Sequence, residues 1–270
     1  MHIHVVTDRP RFLEARYLVS ELARYWGRSG IRVTSGPAWE AGADLGILHV
    51  DRTRVREEEI PACPARLLNG RVLDISKRRF SSQILAPGDP WDGPVIVKSN
   101  LNHFGIPEEH GRPGALLARG RQRLARVSWR LARALPPGRY PVLPRVAAVP
   151  DWVWRDPELL VERFVPERDL GRYCLRGWIF FGSRSYSYRL FSKHPLVKTG
   201  SMLGYEYLEG PPAELEAIRA AHGFDFGKFD YVVVDGRPIL LDANKTPTVT
   251  GEGDSPRLLH LAEGVGELLR

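Results

Sequence analysis

The alternation of apolar and polar positions in the first fifty residues predicts a small α/β lobe. Residues 2–7 form an apolar run that predicts a strand, and residues 11–25 carry apolar side chains at helical spacing. Two further apolar runs, at residues 31–34 and 44–50, predict short strands. Strand, helix, strand and strand in this order favour a parallel sheet. No GxGxxG motif follows the first strand, which argues against a dinucleotide site.

The next part of the chain places lysines at the boundaries of predicted elements. Residues 69–76 lead into a short basic helix that begins at Lys77. Residues 94–99 predict a strand that holds Lys98 near its end. Residues 100–114 are punctuated by glycine and proline, and we therefore expect a loop there.

The segment Ala115–Leu135 is expected to form one long helix. Its apolar positions give it a hydrophobic side, formed by Leu116, Leu117, Leu124, Val127 and Leu131. It contains no acidic residue but six arginines, at positions 119, 121, 123, 126, 130 and 133. This pattern favours a cationic face in solvent that is backed by a buried leucine stripe.

The C-terminal part of the chain predicts a sheet with flanking helices. Three strands are expected, at residues 159–165, 171–181 and 185–191. The last two are expected to pair across the turn Gly182-Ser183. Helices are predicted at residues 213–221 and 256–269.

Between these helices, Phe229–Pro247 predicts a β-hairpin around the turn signal Asp235-Gly236. Asp242 and Asn244 point to one face, since side chains alternate along a strand. Asp230 joins them if it lies opposite Asp242, which predicts a three-residue loop, because a two-residue loop would place it on the other face. Two carboxylates and an amide oxygen suit Mg²⁺. The alternative is a hairpin with solvated acids at its ends.

The composition narrows the class of partner. The chain has 270 residues, of which 43% are hydrophobic and 26% charged, as is ordinary for a soluble globular protein. Its net charge of +7 favours an anionic partner: a nucleotide, a phosphorylated or carboxylate substrate, an acidic peptide or a nucleic acid. Cys63 and Cys174 form no CxxC motif, which argues against a zinc site. Charged residues lie too close to the N-terminus for the apolar region of a secretory signal, and no apolar run is long enough to span a membrane. These two features predict a cytoplasmic protein.

The order of charged residues resembles that of the ATP-grasp superfamily. Two lysines come first, then a strand that ends in acids, then a basic residue two positions before the first acid of the hairpin. The most specific segment is LLDANKTP, at residues 240–247, which is similar to the closing strand of that family. D-alanine–D-alanine ligase and glutathione synthetase are members of the superfamily.

The resemblance implies an α/β plus α+β fold that binds Mg-ATP between two lobes. Residues 1–72 would form a small Rossmann-like N-terminal lobe. Residues 73–161 would form the small ATP-grasp lobe with the arginine-rich helix, and residues 162–270 the large lobe with the metal-binding hairpin.

The resemblance also implies roles for the residues that hold the nucleotide. Lys77 and Lys98 would contact the ATP phosphates, with Lys98 also near the adenine side. The segment Glu162–Val165, which includes Arg163, would be the hinge that reads and packs the adenine through Glu162 and Val165. Asp169 would hold the ribose hydroxyls, with Glu167 as the alternative.

The implied reaction is an ATP-dependent carboxylate–amine ligation. Asp230, Asp242 and Asn244 would bind Mg²⁺, and Lys228 would lie near the transferred phosphate. Arg176 and Arg189 lie on strands that are expected to face the same cleft, where either could hold a phosphate or a carboxylate. A small-molecule or peptide carboxylate would become an acyl-phosphate, and an amine would displace phosphate from it.

Two features depart from the family pattern. The loop after Lys98 is poor in glycine, since Gly105, Gly111 and Gly114 are spread out, so the loop that covers the phosphates is not identified. The arginine-rich helix is also longer than a minimal family core requires.

Two other functions remain open from the sequence. The first keeps the fold but transfers phosphate to a hydroxyl of a small anionic substrate, as inositol phosphate kinases do. The second is a non-catalytic protein that binds an acidic peptide or a nucleic acid through the arginine-rich helix. Nucleic acid ranks last because Trp129 is the only aromatic residue among those arginines.

Overall fold

The computed structural model describes residues 1–109, 115–249 and 255–268, which form three sheets. The N-terminal sheet is parallel, with strand order β2-β1-β3-β4. Its strands are β1 (His2–Val6), β2 (Arg32–Gly36), β3 (Leu45–Leu48) and β4 (Leu67–Leu68). The apolar runs of β1 and β3 are buried, as the continuous hydrophobic pattern of central parallel strands requires.

The first helix begins later than the sequence pattern predicts. Helix α1 spans Leu18–Arg28, whereas the periodicity predicts a helix over residues 11–25. The hydroxyl of Ser20 accepts the backbone N–H of Tyr17 at 3.0 Å and donates to the carbonyl of Ala15 at 2.7 Å. These bonds stabilise an extended chain before the helix, so only a short 3₁₀ turn forms upstream, at Phe12–Glu14.

The small sheet is antiparallel, with strand order β6-β5-β7. Its elements are helix α2 (Lys77–Phe80), then β5 (Val95–Ser99), β6 (Val142–Leu143), helix α6 (Asp151–Arg155) and β7 (Leu159–Arg163). Val97 and Val161 pair across β5 and β7 and join a buried apolar cluster with Val153 of α6. Strand β7 crosses the boundary predicted after residue 161, and this sheet extends to Arg163.

The segment between β5 and β6 differs from the prediction. Part of the expected loop is ordered as a turn at Asn102–Gly105 and helix α3 (Ile106–Glu109). The single long helix is interrupted at Ser128, giving α4 (Ala115–Val127) and α5 (Trp129–Ala132). Ser128 has an extended backbone, and its hydroxyl accepts the N–H of Leu131, which caps α5. Gly111 and Gly114 lie outside the described residues.

The predicted apolar side of this helix is not buried where the structure describes its side chains. Val127 is 87% exposed, Leu131 79% and Leu124 48%. The extended backbone of Ser128 breaks the helical spacing at that point, so the apolar positions before and after it do not continue one helical stripe. The side chains of Leu116 and Leu117 lie outside the described set.

The large sheet is antiparallel, with strand order β11-β10-β9-β12-β13 and β8 beside β9. Its strands are β8 (Glu167–Asp169), β9 (Arg172–Phe181), β10 (Arg184–Ser192), β11 (Met202–Leu208), β12 (Phe226–Val234) and β13 (Arg237–Asn244). Helix α7 (Ala213–His222) packs near Trp178 and Phe180, which lie in one apolar cluster. Helices α1, α8 (Pro256–Glu263) and α9 (Val265–Leu268) cover Ile179 and Phe181 on the other face.

The hairpin of β12 and β13 brings Asp230 opposite Asp242, as predicted, but by another route. The connecting turn has two residues, Asp235 and Gly236, both with positive φ, so the predicted three-residue loop is wrong. Beyond Asp230 the register shifts, because Tyr231 pairs with Leu240, and Leu241 is left as a β-bulge. An extra residue in one strand exchanges its two faces, which returns both acids to the same side.

No helix in the described part of the chain is both long and apolar enough to cross a membrane.

The N-terminal lobe contains a buried histidine, His49. His49 follows β3 and packs against the rings of Phe12 and Tyr17, at centroid distances of 4.5 and 4.6 Å. Its Nε2 has no hydrogen-bond partner among the described residues. Burial lowers the pKa of His49 to about 3.

This histidine should make the fold less stable in acid. Between pH 6.5 and 3, His49 binds a proton in the unfolded chain but stays neutral in the folded chain. The free energy of unfolding therefore falls as the pH falls. The expected loss at pH 5, relative to pH 7, is about 2 kcal/mol. Urea unfolding of wild type and His49→Gln at both pH values tests this. The variant should lose that much less, whereas His260→Gln, at a histidine whose side chain is 42% exposed, should behave as wild type does.

Candidate functional site

A cavity of about 350 Å³ lies between the small and large sheets. It brings together residues that are far apart in the sequence: Lys77, Lys98, Glu162, Arg163, Val165, Lys228, Asp230, Asp242 and Asn244. Strands β5 and β7 supply one wall, and the hairpin of β12 and β13 supplies the opposite wall. The cavity is therefore lined by four lysines, of which Lys198 is the fourth, and by three carboxylates, together with apolar hinge residues.

The first ion pair of the cavity joins two strands of the small sheet. Lys98 Nζ lies 2.6 Å from Glu162 Oε2, and both side chains are at most 9% exposed. The other carboxylate oxygen, Oε1 of Glu162, is buried and has no hydrogen-bond partner among the described residues. A buried acceptor without a partner is costly, so this oxygen is suited to receive a donor from a ligand.

The other two pairs involve the acids of the hairpin, one with Lys77 of α2 and one with Lys228 of β12. Lys77 Nζ is 3.1 Å from Asp242 Oδ1, and Lys228 Nζ is 2.9 Å from Asp230 Oδ1. Burial alone would raise the pKa of Asp242, but Lys77, Lys98 and Lys228 together hold it below its ordinary value. Burial raises the pKa of Asp230 although Lys228 opposes that shift. The two carboxylates therefore differ in how readily they ionise.

The environment of Lys77 and Lys228 keeps these two lysines charged. Burial would lower the pKa of Lys77 and of Lys228, but the neighbouring carboxylates more than offset it and raise both values. The hydroxyl of Tyr188 also contacts Lys228. The ring of Tyr188 lies over Gly177, where an added Cβ would come within 2.3 Å of it, so a glycine is required there.

Asn244 completes the group of oxygen donors on this face. Its Oδ1 accepts the backbone N–H of Thr246 at 2.8 Å, and the Thr246 hydroxyl donates to Asp51 of the N-terminal lobe at 2.5 Å. One lone pair of Oδ1 thus has a firm partner. Within residues 1–109, 115–249 and 255–268, no group of three or more His, Cys, Asp or Glu side chains could by itself hold a metal. A cation here would need ligands from a bound substrate as well.

Three of the predicted site residues do not line the cavity. Arg176 pairs opposite Tyr231, on the face of the large sheet that turns away from Asp230, and forms a bidentate pair with Glu167 at 2.7–3.0 Å. Arg189 lies on that same face and reaches Glu206 at 2.7 Å and Asp169 at 3.4 Å.

The expectation that Arg176 and Arg189 face the cleft is therefore wrong. Side chains alternate along a strand, and Gly177, rather than Arg176, lies opposite Asp230. Asp169 and its alternative, Glu167, are both engaged by these arginines and lie outside the cavity lining. Arg176, Arg189 and Asp169, which the sequence predicts to contact substrate or ribose, therefore do not line the cavity.

Other residues of the cavity have no signal in the sequence. Tyr140 lines it beside Lys77, and burial raises the pKa of its hydroxyl to about 12, against the effect of Lys77. The ring of Phe104 stacks on Tyr140 at 4.5 Å. His103, Phe104 and Gly105 all have positive φ, a strained turn directly after β5. The segment Pro195–Lys198, between β10 and β11, closes the cavity on another side.

No family model and no curated protein matches the chain, but solved structures match it over almost its whole length. The macrocyclase MdnC from Microcystis aeruginosa MRC, bound with precursor peptide MdnA, is 9% identical with a TM-score of 0.57, over 100% of this chain and 99% of that one. The RimK domain protein ATP-grasp from Sphaerobacter thermophilus DSM 20745 is 14% identical with a TM-score of 0.48, over 98% and 99%.

The D-alanine–D-alanine ligase from Bacillus anthracis complexed with ATP is 12% identical with a TM-score of 0.45, over 100% of this chain and 96% of that chain. Similarity at such low identity concerns the fold alone. The mixed α/β architecture agrees with the fold that the order of lysines, acids and asparagine indicates. This chain has the fold of the ATP-grasp superfamily.

Proposed function

We propose that this chain is an ATP- and Mg²⁺-dependent ligase. It would activate a substrate carboxylate as an acyl-phosphate for attack by an amine, with release of ADP and phosphate. The observation that carries the proposal is the convergence of Lys77, Lys98 and Lys228 on one cavity with Asp230 and Asp242. Buried cations beside buried acids suit a polyphosphate and its metal, because each lysine can exchange a carboxylate for a phosphate oxygen.

The nucleotide fits the small-sheet side of this cavity. Lys77 and Lys98 would hold phosphate oxygens. The free Oε1 of Glu162 would accept a hydrogen bond from the adenine amino group, and Val165 with the stem of Arg163 would pack against the ring. Base packing on apolar hinge residues and one directed acceptor are the usual means of holding a purine in a concave site.

The donor set fits Mg²⁺, a hard cation that prefers oxygen ligands and shares them with phosphates. Asp230 and Asp242 would hold it together with the second lone pair of Asn244 Oδ1. When bound, Mg²⁺ would supply positive charge to the phosphate oxygens. The lowered pKa of Asp242 keeps that carboxylate ionised at neutral pH, as a metal ligand must be.

The residues of the chain position the reactants and neutralise charge. Lys228 would stabilise the negative charge that develops as the substrate carboxylate attacks the γ-phosphate, and the Tyr188 hydroxyl orients this lysine. The amine then forms the new C–N bond as the C–O bond to phosphate breaks, and the phosphate leaves with the bonding electron pair. No side chain of the protein has to form a covalent bond.

Calorimetry of ATP and ADP binding, with and without Mg²⁺, tests this proposal. We expect Mg²⁺-dependent ATP binding by wild type and binding at least about tenfold weaker in the double variant Asp242→Ala, Asn244→Ala, because its metal ligands are removed. Glu214→Ala, an exposed carboxylate on α7, is the matched control and should bind as wild type does. A folded wild-type protein that binds no nucleotide would overturn the proposal.

Product analysis then separates a ligase from a kinase. Hydroxylamine added to mixtures of ATP and candidate carboxylates traps an acyl-phosphate as a hydroxamate, and free phosphate appears with ADP. We expect both products with a small-molecule or peptide carboxylate. Formation of ADP with all the phosphate retained on a hydroxyl would identify a kinase instead.

A further inference from the structure

An open groove of about 660 Å³ is lined by residues of helices α4 and α5 and of strand β6 of the small sheet. Its lining is mainly apolar and includes Val127, Trp129, Pro137, Val142, Leu143 and Leu196. Val127 is 87% exposed and Val142 39% exposed. Leu124 and Leu131, on the same two helices, add to the exposed apolar surface. Apolar side chains concentrated in this way mark an interaction site more often than scattered ones do.

The rim of this groove is strongly cationic. Residues 115–150 contain eight arginines and no aspartate, glutamate or lysine. Arg126 and Arg139 line the groove and are exposed, and neither forms an ion pair with any residue that the structure describes. Two other arginines have structural partners, since Arg121 donates to the carbonyl of Arg133 and Arg130 to that of Ala148. The groove thus offers guanidinium groups next to an apolar floor.

We infer that this groove binds a peptide segment that carries both acidic and apolar side chains. Carboxylates would pair with Arg126 and Arg139, and apolar side chains would cover Val127 and Val142. A nucleic acid fits less well, because single strands bind to free aromatic faces, and the two aromatic side chains of the groove, Tyr140 and Trp129, already pack against other rings. The ring of Trp129 already packs against Trp152 at 5.6 Å and against the guanidinium of Arg130 at 5.4 Å.

The groove adjoins the cavity between the sheets. Tyr140 and Leu196 line both of them, so a peptide in the groove would contact the same two side chains that close the cavity. This step rests on the proposed function: a peptide in the groove would be the substrate itself, or would be joined to the substrate and hold it near Lys228. Binding in the groove itself requires neither nucleotide nor turnover.

A random-peptide display library selected against the wild-type protein, without nucleotide, tests the inference. We expect the enriched peptides to be rich in Asp or Glu together with apolar residues. A synthetic enriched peptide, labelled with fluorescein, should bind about tenfold or more weakly to the variant Arg126→Glu, Arg139→Glu. The variant Val127→Asp, Val142→Asp should weaken it as well, because both exposed positions would repel acidic side chains. The equal charge change in Arg11→Glu, Arg237→Glu should leave binding unchanged.

Three results would overturn the inference: no enrichment, enriched peptides without acidic character, or equal binding to wild type and to the Arg126→Glu, Arg139→Glu variant. Tighter binding of a single-stranded oligoribonucleotide that is lost in that variant would also overturn it. ATP calorimetry on the same proteins keeps the two proposals apart. Peptide binding without ATP binding contradicts only the ligase, and ATP binding without peptide binding contradicts only the groove.

Discussion

Replacing Lys228 by methionine should lower ligase turnover by about 10²–10³ and leave ATP binding nearly unchanged. The Lys228 ammonium lies 2.9 Å from Asp230 Oδ1 and is also hydrogen-bonded to the Tyr188 hydroxyl. A cation fixed in a buried site stabilises charge that appears only in the transition state, so its loss lowers kcat more than it weakens binding. Methionine keeps most of the side-chain volume, so the lysine-shaped space stays filled.

The measurement is ADP formation with the substrate pair that the hydroxamate assay identifies. Lys228→Arg keeps the charge and should recover part of the turnover, and the exposed Lys193→Met is the matched control that should keep all of it. Thermal unfolding of each variant shows whether lost activity reflects lost structure. Unchanged turnover in a folded Lys228→Met protein would remove this lysine from the reaction.

The sequence predicts the strands of this fold well where apolar runs are strong. The runs that become β5, β9, β10 and β12 are long or β-branched, and their placement needs no tertiary information. The start of α1 and the interruption at Ser128 depend on hydroxyl groups that bond to the backbone, and the hydrophobic periodicity continues through both points. Such local bonds compete with the helix without changing the apolar pattern.

The hairpin shows how a correct strand pairing can follow from a wrong prediction of the turn. Parity along the two strands requires Asp230 and Asp242 on one face if they bind one metal, and a longer loop is the simplest way to obtain it. The structure obtains it with a bulge at Leu241, which no composition rule marks in advance. The chemistry of the three side chains was therefore a better guide to their pairing than the turn signal was.

The wrong prediction that Arg176 and Arg189 face the cavity has a different cause. Strand β9 is apolar on both faces and is buried on both from Gly177 onward, so its hydrophobic pattern does not show which side meets the cavity. The sequence assigns Arg176 and Arg189 to strands but not to a face of the sheet. Their partner Glu167 lies near the hinge, too far along the chain for a local rule to connect it with them. No local pattern predicts Tyr140 and Phe104 at this site, because they come from segments that only the folded chain brings to Lys77.

The pair Lys98–Glu162 should show the largest effect of a single change on stability. Both side chains are at most 9% exposed and their charged atoms are 2.6 Å apart. Removing one partner leaves the other charge buried without compensation, which costs about 3–5 kcal/mol. Lys98→Met should therefore lower the free energy of unfolding by that amount, as measured by urea denaturation of the protein without nucleotide.

The double variant Lys98→Met, Glu162→Gln separates the charge from the packing. It removes both ions, so it should be more stable than Lys98→Met alone, and the coupling energy between the two positions should be large. Arg155→Met tests an exposed pair of the same lobe, since Arg155 and Asp151 are 3.9 Å apart with side chains more than 80% exposed. That change should cost no more than about 1 kcal/mol. Equal losses in Lys98→Met and in the double variant would mean that the pair contributes through packing and not through its charges. The stability of the fold would then not depend on the charges of this pair, and Lys98 could bind a phosphate instead of Glu162 without lowering the free energy of unfolding.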